Sequence, residues 1–149
     1  MRIAIGCDHG GFLLKTEVMA HLKSKGFECK DFGAYSEESC DYPDISIKVA
    51  ESVASKECEL GVLVCGTGIG ISIAANKVPG IRAALCGDTF SAKATRQHNN
   101  ANILALGQRV TGTGLALEIV DAFFSSEFEG GRHENRISKI SAIEEKYSK

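Results

Sequence analysis

The chain has 149 residues, 44% of them hydrophobic and 24% charged, with a formal net charge of −2. That is one ordinary domain (1–149) with enough apolar surface for a single core, and it carries no global basic field of the kind that draws nucleic acid or an anionic membrane. No run approaches the roughly 18 apolar residues of a membrane span. The N-terminal Met1-Arg2-Ile3-Ala4-Ile5-Gly6 has too short an apolar run for an export signal, so the expected location is the cytoplasm.

In chain order, 2–7 reads as a buried strand. A helix is expected over 12–25, with Leu14, Val18 and Leu22 on one face and Gly26 at its C-terminal cap. A short strand follows over 27–32, then a polar loop over 35–44 in which Pro43 suits the first turn of the next helix. That helix carries Ile45, Val49 and Val53 on one face. The run LGVLVC at 60–65 is continuously apolar, as strands covered on both faces are. A short helix is expected over 69–77, a strand over 81–86, a helix over 88–98 with Asp88 as N-cap, and a strand over 103–106. Helices over 113–124 and 132–147 complete the chain. Strands alternating with helices predict an α/β fold: a doubly wound three-layer α/β/α sandwich on a five-stranded parallel, Rossmann-like sheet. Ligands of such sheets bind outside the carboxyl ends of the strands.

The loops at those ends hold the reactive residue types. In Cys65-Gly66-Thr67-Gly68-Ile69-Gly70 a buried strand ends in a thiol and a glycine-rich turn opens a helix. The glycines allow close backbone approach, and the N–H groups of the turn suit an anion or a developing oxyanion. A thiol placed there feels the positive end of the helix dipole, which favours thiolate. The loop is not a Walker A motif, since no Gly-Lys-Ser/Thr follows. Nor is it G-x-G-x-x-G, because Gly70 comes one position early, and Ile71 stands where a phosphatase-type cysteine loop would place arginine. A tight turn with an inert buried cysteine remains the alternative. Asp8-His9-Gly10-Gly11 is either a helix cap or a pair of contacts to a polar substrate. His98-Asn99-Asn100-Ala101-Asn102 is either turn chemistry or the place of a general acid, His98. Arg132 and Arg136 share a helix face and suit phosphate, unless they belong to a solvated face with Glu134 and Glu144. Arg109 is a third candidate for phosphate.

The six cysteines (Cys7, Cys29, Cys40, Cys58, Cys65, Cys86) include no C-x-x-C pair, so reduced thiols are expected. Asp8, His9 and His98 do not match any known ligand spacing, and neither a metal nor an organic cofactor is expected.

Taken together, IAIGCDHGGFLLK, DYPDIS, VLVCGTGIGISIAANKVPGIRAAL, RQHNNANILALGQRV and GGRHENRISKI resemble the family of ribose-5-phosphate isomerase B and the related galactose-6-phosphate isomerase subunits, over nearly the whole chain. Some relatives place an acidic residue near the glycine loop. With Cys65 kept and Ile71 and Ser72 in that region, this chain is similar to the cysteine-type branch. The resemblance implies an aldose–ketose isomerase that interconverts D-ribose 5-phosphate and D-ribulose 5-phosphate through an enediolate. It further implies a homodimer or tetramer whose active site is shared between subunits, with His98, Asn99 and Arg109 reaching a neighbour's pocket. In that scheme His98 handles the proton of ring opening, and Asp8 and Thr67 orient hydroxyl groups. Cys65 moves the proton between C2 and C1. The N–H groups of Gly66, Gly68, Ile69 and Gly70 face the enediolate, and Arg109, Arg132 and Arg136, with His9, hold the phosphate. Three alternatives stay open: a non-catalytic sugar-phosphate sensor, a redox thiol protein with Cys7 or Cys86 as resolving partner, and the same chemistry on a six-carbon sugar phosphate.

Overall fold

The computed structural model describes residues 1–148. Five strands, β1 (Arg2–Cys7), β2 (Glu28–Asp31), β3 (Leu60–Cys65), β4 (Ala83–Leu85) and β5 (Ile103–Gly107), form one sheet in the order β2-β1-β3-β5-β4. Every pairing is parallel. The helices are α1 (Phe12–Ser24), α2 (Tyr42–Ala54), α3 (Ile69–Ala75), α4 (Thr89–Asn99), α5 (Thr113–Phe124) and α6 (Arg132–Tyr147), with a 3-10 turn over His9–Gly11 ahead of α1.

The strand β3 is central because it is apolar on both faces: all six of its residues are buried. Val62 lies opposite Ile5 on one side and Leu104 on the other. Since side chains alternate along a strand, Val62 and Val64 join Ile3, Ile5, Leu104 and Leu106 on the face covered by α1, α4 and α5. Leu63 and Cys65 point to the other face, with Ala4, Ile103 and Ala105, under α2 and α3. The cysteine sulfur therefore belongs to the α2–α3 side of the sandwich.

Local signals set the helix ends. The helix α1 closes in a Schellman arrangement: Gly26, at φ +91°, donates to Lys23 O at 3.0 Å and Phe27 donates to Leu22 O at 3.1 Å. The Asp88 carboxylate accepts from Ser91 N at 2.6 Å and caps α4 as expected. Three elements differ from expectation by more than one residue at an end. The helix α2 begins at Tyr42 and takes up the end of the polar loop, with Pro43 in its first turn. The strand β4 is confined to Ala83–Leu85. Ile81 N donates to Val78 O and Arg82 N to the Asn102 side chain, so neither is available to the ladder. The helix α3 also stops early, at Ala75, because the next residue, Asn76, turns its amide onto Ala83.

Lys15 is 1% exposed, an unusual place for an ammonium group. Its Nζ donates to both Asp31 carboxylate oxygens at 2.9 Å and to Ala34 O at 2.6 Å, so all three protons are matched. This ties the segment after β2 to α1, beside the carboxyl end of β1.

The chain leaves β1 for β2 on one side and reaches β3 on the other, so the order reverses between β1 and β3. That switch point is where open α/β sheets leave a crevice for ligands.

Candidate active site

The loops after β1, β3 and β5 meet at this crevice. Asp8 N donates to Val64 O at 3.2 Å, and the Asp8 carboxylate turns back to accept from Gly10 N at 2.9 Å. A Cβ on Gly10 would lie 3.2 Å from Gly66 N, so the two loops touch through bare backbone. Gln108 N donates to Cys65 O and Arg109 N to Gly66 O, each at 2.9 Å, which fastens the β5 loop to the glycine loop. The Gln108 side chain then accepts from Leu14 N at 2.9 Å and satisfies the start of α1.

Cys65 ends β3 and is 5% exposed. Its Sγ accepts a hydrogen bond from Gly68 N at 3.0 Å, a donor aimed at the sulfur from within the turn. Gly68 is left-handed, at φ +79°, and an added Cβ would sit 2.5 Å from Leu85 Cδ1 and 2.9 Å from the backbone of Leu106. Only glycine fits there. Thr67 is exposed, and its Oγ1 accepts from Ile69 N at 3.1 Å. Gly70 makes room for an aromatic ring: its Cβ would meet Tyr42 Cζ at 2.7 Å. His9 Nδ1 accepts from Cys40 N at 3.2 Å, so the neutral ring carries its proton on Nε2. The Arg109 side chain lies along Gly66, with Cδ, Nε and Cζ 3.4, 3.6 and 3.7 Å from where a Cβ would be.

The structure thus brings together Cys65, Gly66, Thr67, Gly68, Ile69, Gly70, Asp8, His9 and Arg109. It does not bring His98, Asn99, Arg132 or Arg136 to them. The helix α4 starts beside the carboxyl end of β4 and runs back along the sheet. His98 and Asn99 are on its last turn, and eleven helical residues span about 16 Å. Glu129 N donates to Gln97 O at 3.0 Å, which holds the start of α6, with Arg132 and Arg136, at the same far end. Arg109 accordingly stands on the Cys65 side of the molecule, whereas the resemblance had grouped it with His98.

That far end holds residues the sequence did not single out. The His98 ring stacks on His133, with centroids 4.4 Å apart and planes 14° from parallel. Glu129 Oε1 faces both Nε2 atoms, 3.9 Å from His98 and 3.6 Å from His133. His133 is buried and His98 exposed. Burial, reinforced by the neighbouring His98 and Arg132, holds the His133 imidazole below its usual range. The only local signal was the company of Arg132; the contact itself joins residues of α4 and α6. Tyr42 and Gln108 were equally silent, since each acts through a glycine or a backbone N–H remote in sequence.

All six cysteines are free thiols. Burial pushes Cys7 and Cys86 up to about 11, with Lys15 partly opposing it at Cys7 and Asp88 adding to it at Cys86. Neither is an effective resolving thiol near neutral pH, which disfavours the redox reading. Among the described residues no helix is long and apolar enough to cross a membrane.

A family model described as Ribose/Galactose Isomerase matches residues 3–140. Ribose-5-phosphate isomerase B of Escherichia coli is 52% identical over 145 residues, 97% of each chain. The structure of Clostridium thermocellum ribose-5-phosphate isomerase B superposes with a TM-score of 0.98 at 59% identity, over 99% of this chain and 100% of that one. The Mycoplasma genitalium ribose-5-phosphate isomerase B structure, which holds bound ribulose-5-phosphate, gives 0.93 at 44% identity, over 99% of this chain and 97% of that one.

Proposed function

The chain belongs to the ribose/galactose isomerase family, and on that premise we propose that it interconverts D-ribose 5-phosphate and D-ribulose 5-phosphate with Cys65 as the base. The observation that carries this reading is the meeting of Cys65, Asp8, Thr67 and Arg109 in the crevice between β1 and β3. A relative of the same fold holds ribulose-5-phosphate.

Isomerisation of an aldose to a ketose moves one proton from C2 to C1 and one from O2 to O1. The base must lie beside two adjacent carbons and away from bulk water. Cys65 Sγ, nearly buried at the end of the central strand, meets the second condition, and its place at the crevice suits the first. Removal of the C2 proton leaves an enediolate whose charge faces the Gly66 and Gly70 N–H groups of the glycine loop, those of Gly68 and Ile69 being taken up by Cys65 Sγ and Thr67 Oγ1. Asp8 and Thr67 orient hydroxyl groups, and His9, with Nε2 as donor, faces the phosphate side together with Arg109. Sugar phosphates rest mainly as rings, so an acid–base group must first open the ring. His98 is that group in this reading, and a second copy of the chain supplies it along with Asn99, Arg132 and Arg136.

Two features support assembly of the site from two copies. His98 lies at the opposite end of α4 from the crevice within its own chain. The rim of the crevice also exposes Ile69, Ile73 and Leu85, apolar side chains of the kind an interface covers. Six free thiols suit a reducing compartment, the cytoplasm.

The test is isomerisation of D-ribose 5-phosphate by the purified protein in excess EDTA. Ribulose 5-phosphate should form at a rate unaffected by the chelator. No turnover would refute the reading and leave a six-carbon sugar phosphate as the next substrate to try.

A further inference from the structure

We propose that His98, Glu129 and His133 form a binding site for a divalent transition-metal ion of the zinc type, and that filling it switches isomerisation off by withdrawing His98 from proton transfer. The second half rests on the role given to His98 above; the first does not.

The site is built by the turn between α5 and α6. Gly130 and Gly131 adopt left-handed φ angles of +68° and +58°, which fold the chain sharply just before α6. Glu129, held by its N–H on Gln97 O at 3.0 Å, is thereby set over the first turn of α6 and the last turn of α4. One donor atom from each of His98, Glu129 and His133 lies within 4.8 Å of the others. Two imidazoles and one carboxylate are a ligand set that zinc and its neighbours accept.

The anchor is His133. Its side chain is 8% exposed, and its Nε2 is buried without a hydrogen-bond partner. Buried polar atoms are nearly always paired, so an orphan lone pair or N–H marks a place where a ligand belongs.

Ligands around a tetrahedral zinc stand about 3.3 Å apart, given metal–ligand bonds of about 2 Å. The two nitrogen–carboxylate separations of 3.6 and 3.9 Å are within about half an ångström of that. His98 and Glu129 are exposed in the single chain, and His98 closes in by tilting out of its stack on His133 and away from the crevice it serves. Three protein ligands leave a fourth position for water, the arrangement of an exchangeable ion rather than a closed structural one. Arg132 and Arg136 on the same helix oppose the added positive charge, which also favours reversible binding.

Zinc chloride is titrated into the intact protein by calorimetry, beside Glu129→Gln and His133→Gln, and the rate on D-ribose 5-phosphate is followed over the same concentrations. The parent should bind one ion per chain at this site, and its rate should fall with the same midpoint and recover on adding EDTA. Both variants should bind that ion at least about tenfold more weakly. Glu129 is exposed, so its variant decides the matter even if His133→Gln folds poorly. Binding and inhibition unchanged in Glu129→Gln would assign the zinc to the cysteines and overturn the proposal. Binding that is lost in the variants but never slows the parent would overturn the switch. A parent inactive without zinc would instead refute the isomerase reading, and calorimetry would still decide the site.

Discussion

Replacing Cys65 tests the chemistry and the architecture together. Cys65→Ala removes the base and also the acceptor of the Gly68 N–H bond, 3.0 Å from the sulfur. An unpaired buried donor costs about 1 to 3 kcal/mol, so the urea midpoint should fall. Cys65→Ser keeps an acceptor at that place and should recover most of the stability. Neither variant keeps the thiolate. A positioned acid–base group contributes about 10²- to 10⁴-fold, equivalent to about 3 to 5 kcal/mol of barrier. Both variants should therefore lose at least about a hundredfold in kcat/KM, with kcat carrying the loss. The assay is the rate of ribulose 5-phosphate formation, with the urea midpoint of each variant measured alongside. A folded Cys65→Ala protein that retains more than about a tenth of the parent rate would refute Cys65 as the base. A Cys65→Ser protein no more stable than the alanine variant would refute the structural role of the Gly68 contact.

Other positions test other parts of the argument. Gly68→Ala combines a left-handed φ of +79° with a Cβ 2.9 Å from the Leu106 backbone; it should lose about 2 to 4 kcal/mol in urea unfolding and most of its activity as the loop shifts. Lys15→Met leaves the Asp31 carboxylate, itself 24% exposed, without its partner; about 2 to 3 kcal/mol of stability should go, less than for a fully buried pair because water reaches Asp31. Cys7 and Cys86 have thiols raised by burial from 9.0 to about 11 in the fold. Their burial therefore supports the fold fully below about pH 9, and the denaturant midpoint should decline as pH rises towards 11. A midpoint that does not decline in that range would show these thiols are not held in the core.

The parts of the molecule written in local patterns were legible in the sequence. LGVLVC announced a strand covered on both faces, Asp88 announced its cap, and the helices Thr113–Phe124 and Arg132–Tyr147 have the bounds expected of them. The glycine loop was legible because its requirement is local: a chain that must turn under a strand end needs a residue without a Cβ. What escaped was set by contacts between distant segments. The order of the strands depends on which faces pack together, and no residue encodes it alone. The shortening of β4 comes from Val78 and Asn102, which take up the N–H groups of Ile81 and Arg82 just ahead of it. The neighbours of His98 escaped for the same reason, since Glu129 and His133 come to it only through the packing of α6 on α4.

Asn76 has a consequence for how the protein behaves in solution. The strand β4 is an outer strand, and an outer strand offers unpaired N–H and C=O groups to any passing chain. Asn76 Oδ1 accepts from Ala83 N at 2.8 Å and its Nδ2 donates to Ala83 O at 2.9 Å, so one side-chain amide stands in for the neighbouring strand that is not there. On the opposite border β2 reads Glu-Cys-Lys-Asp, charged at three of its four positions. Both borders of the sheet are thus closed to further strands, one by a plug and the other by charge. The sheet stops at five strands, and the chain is guarded against edge-to-edge aggregation.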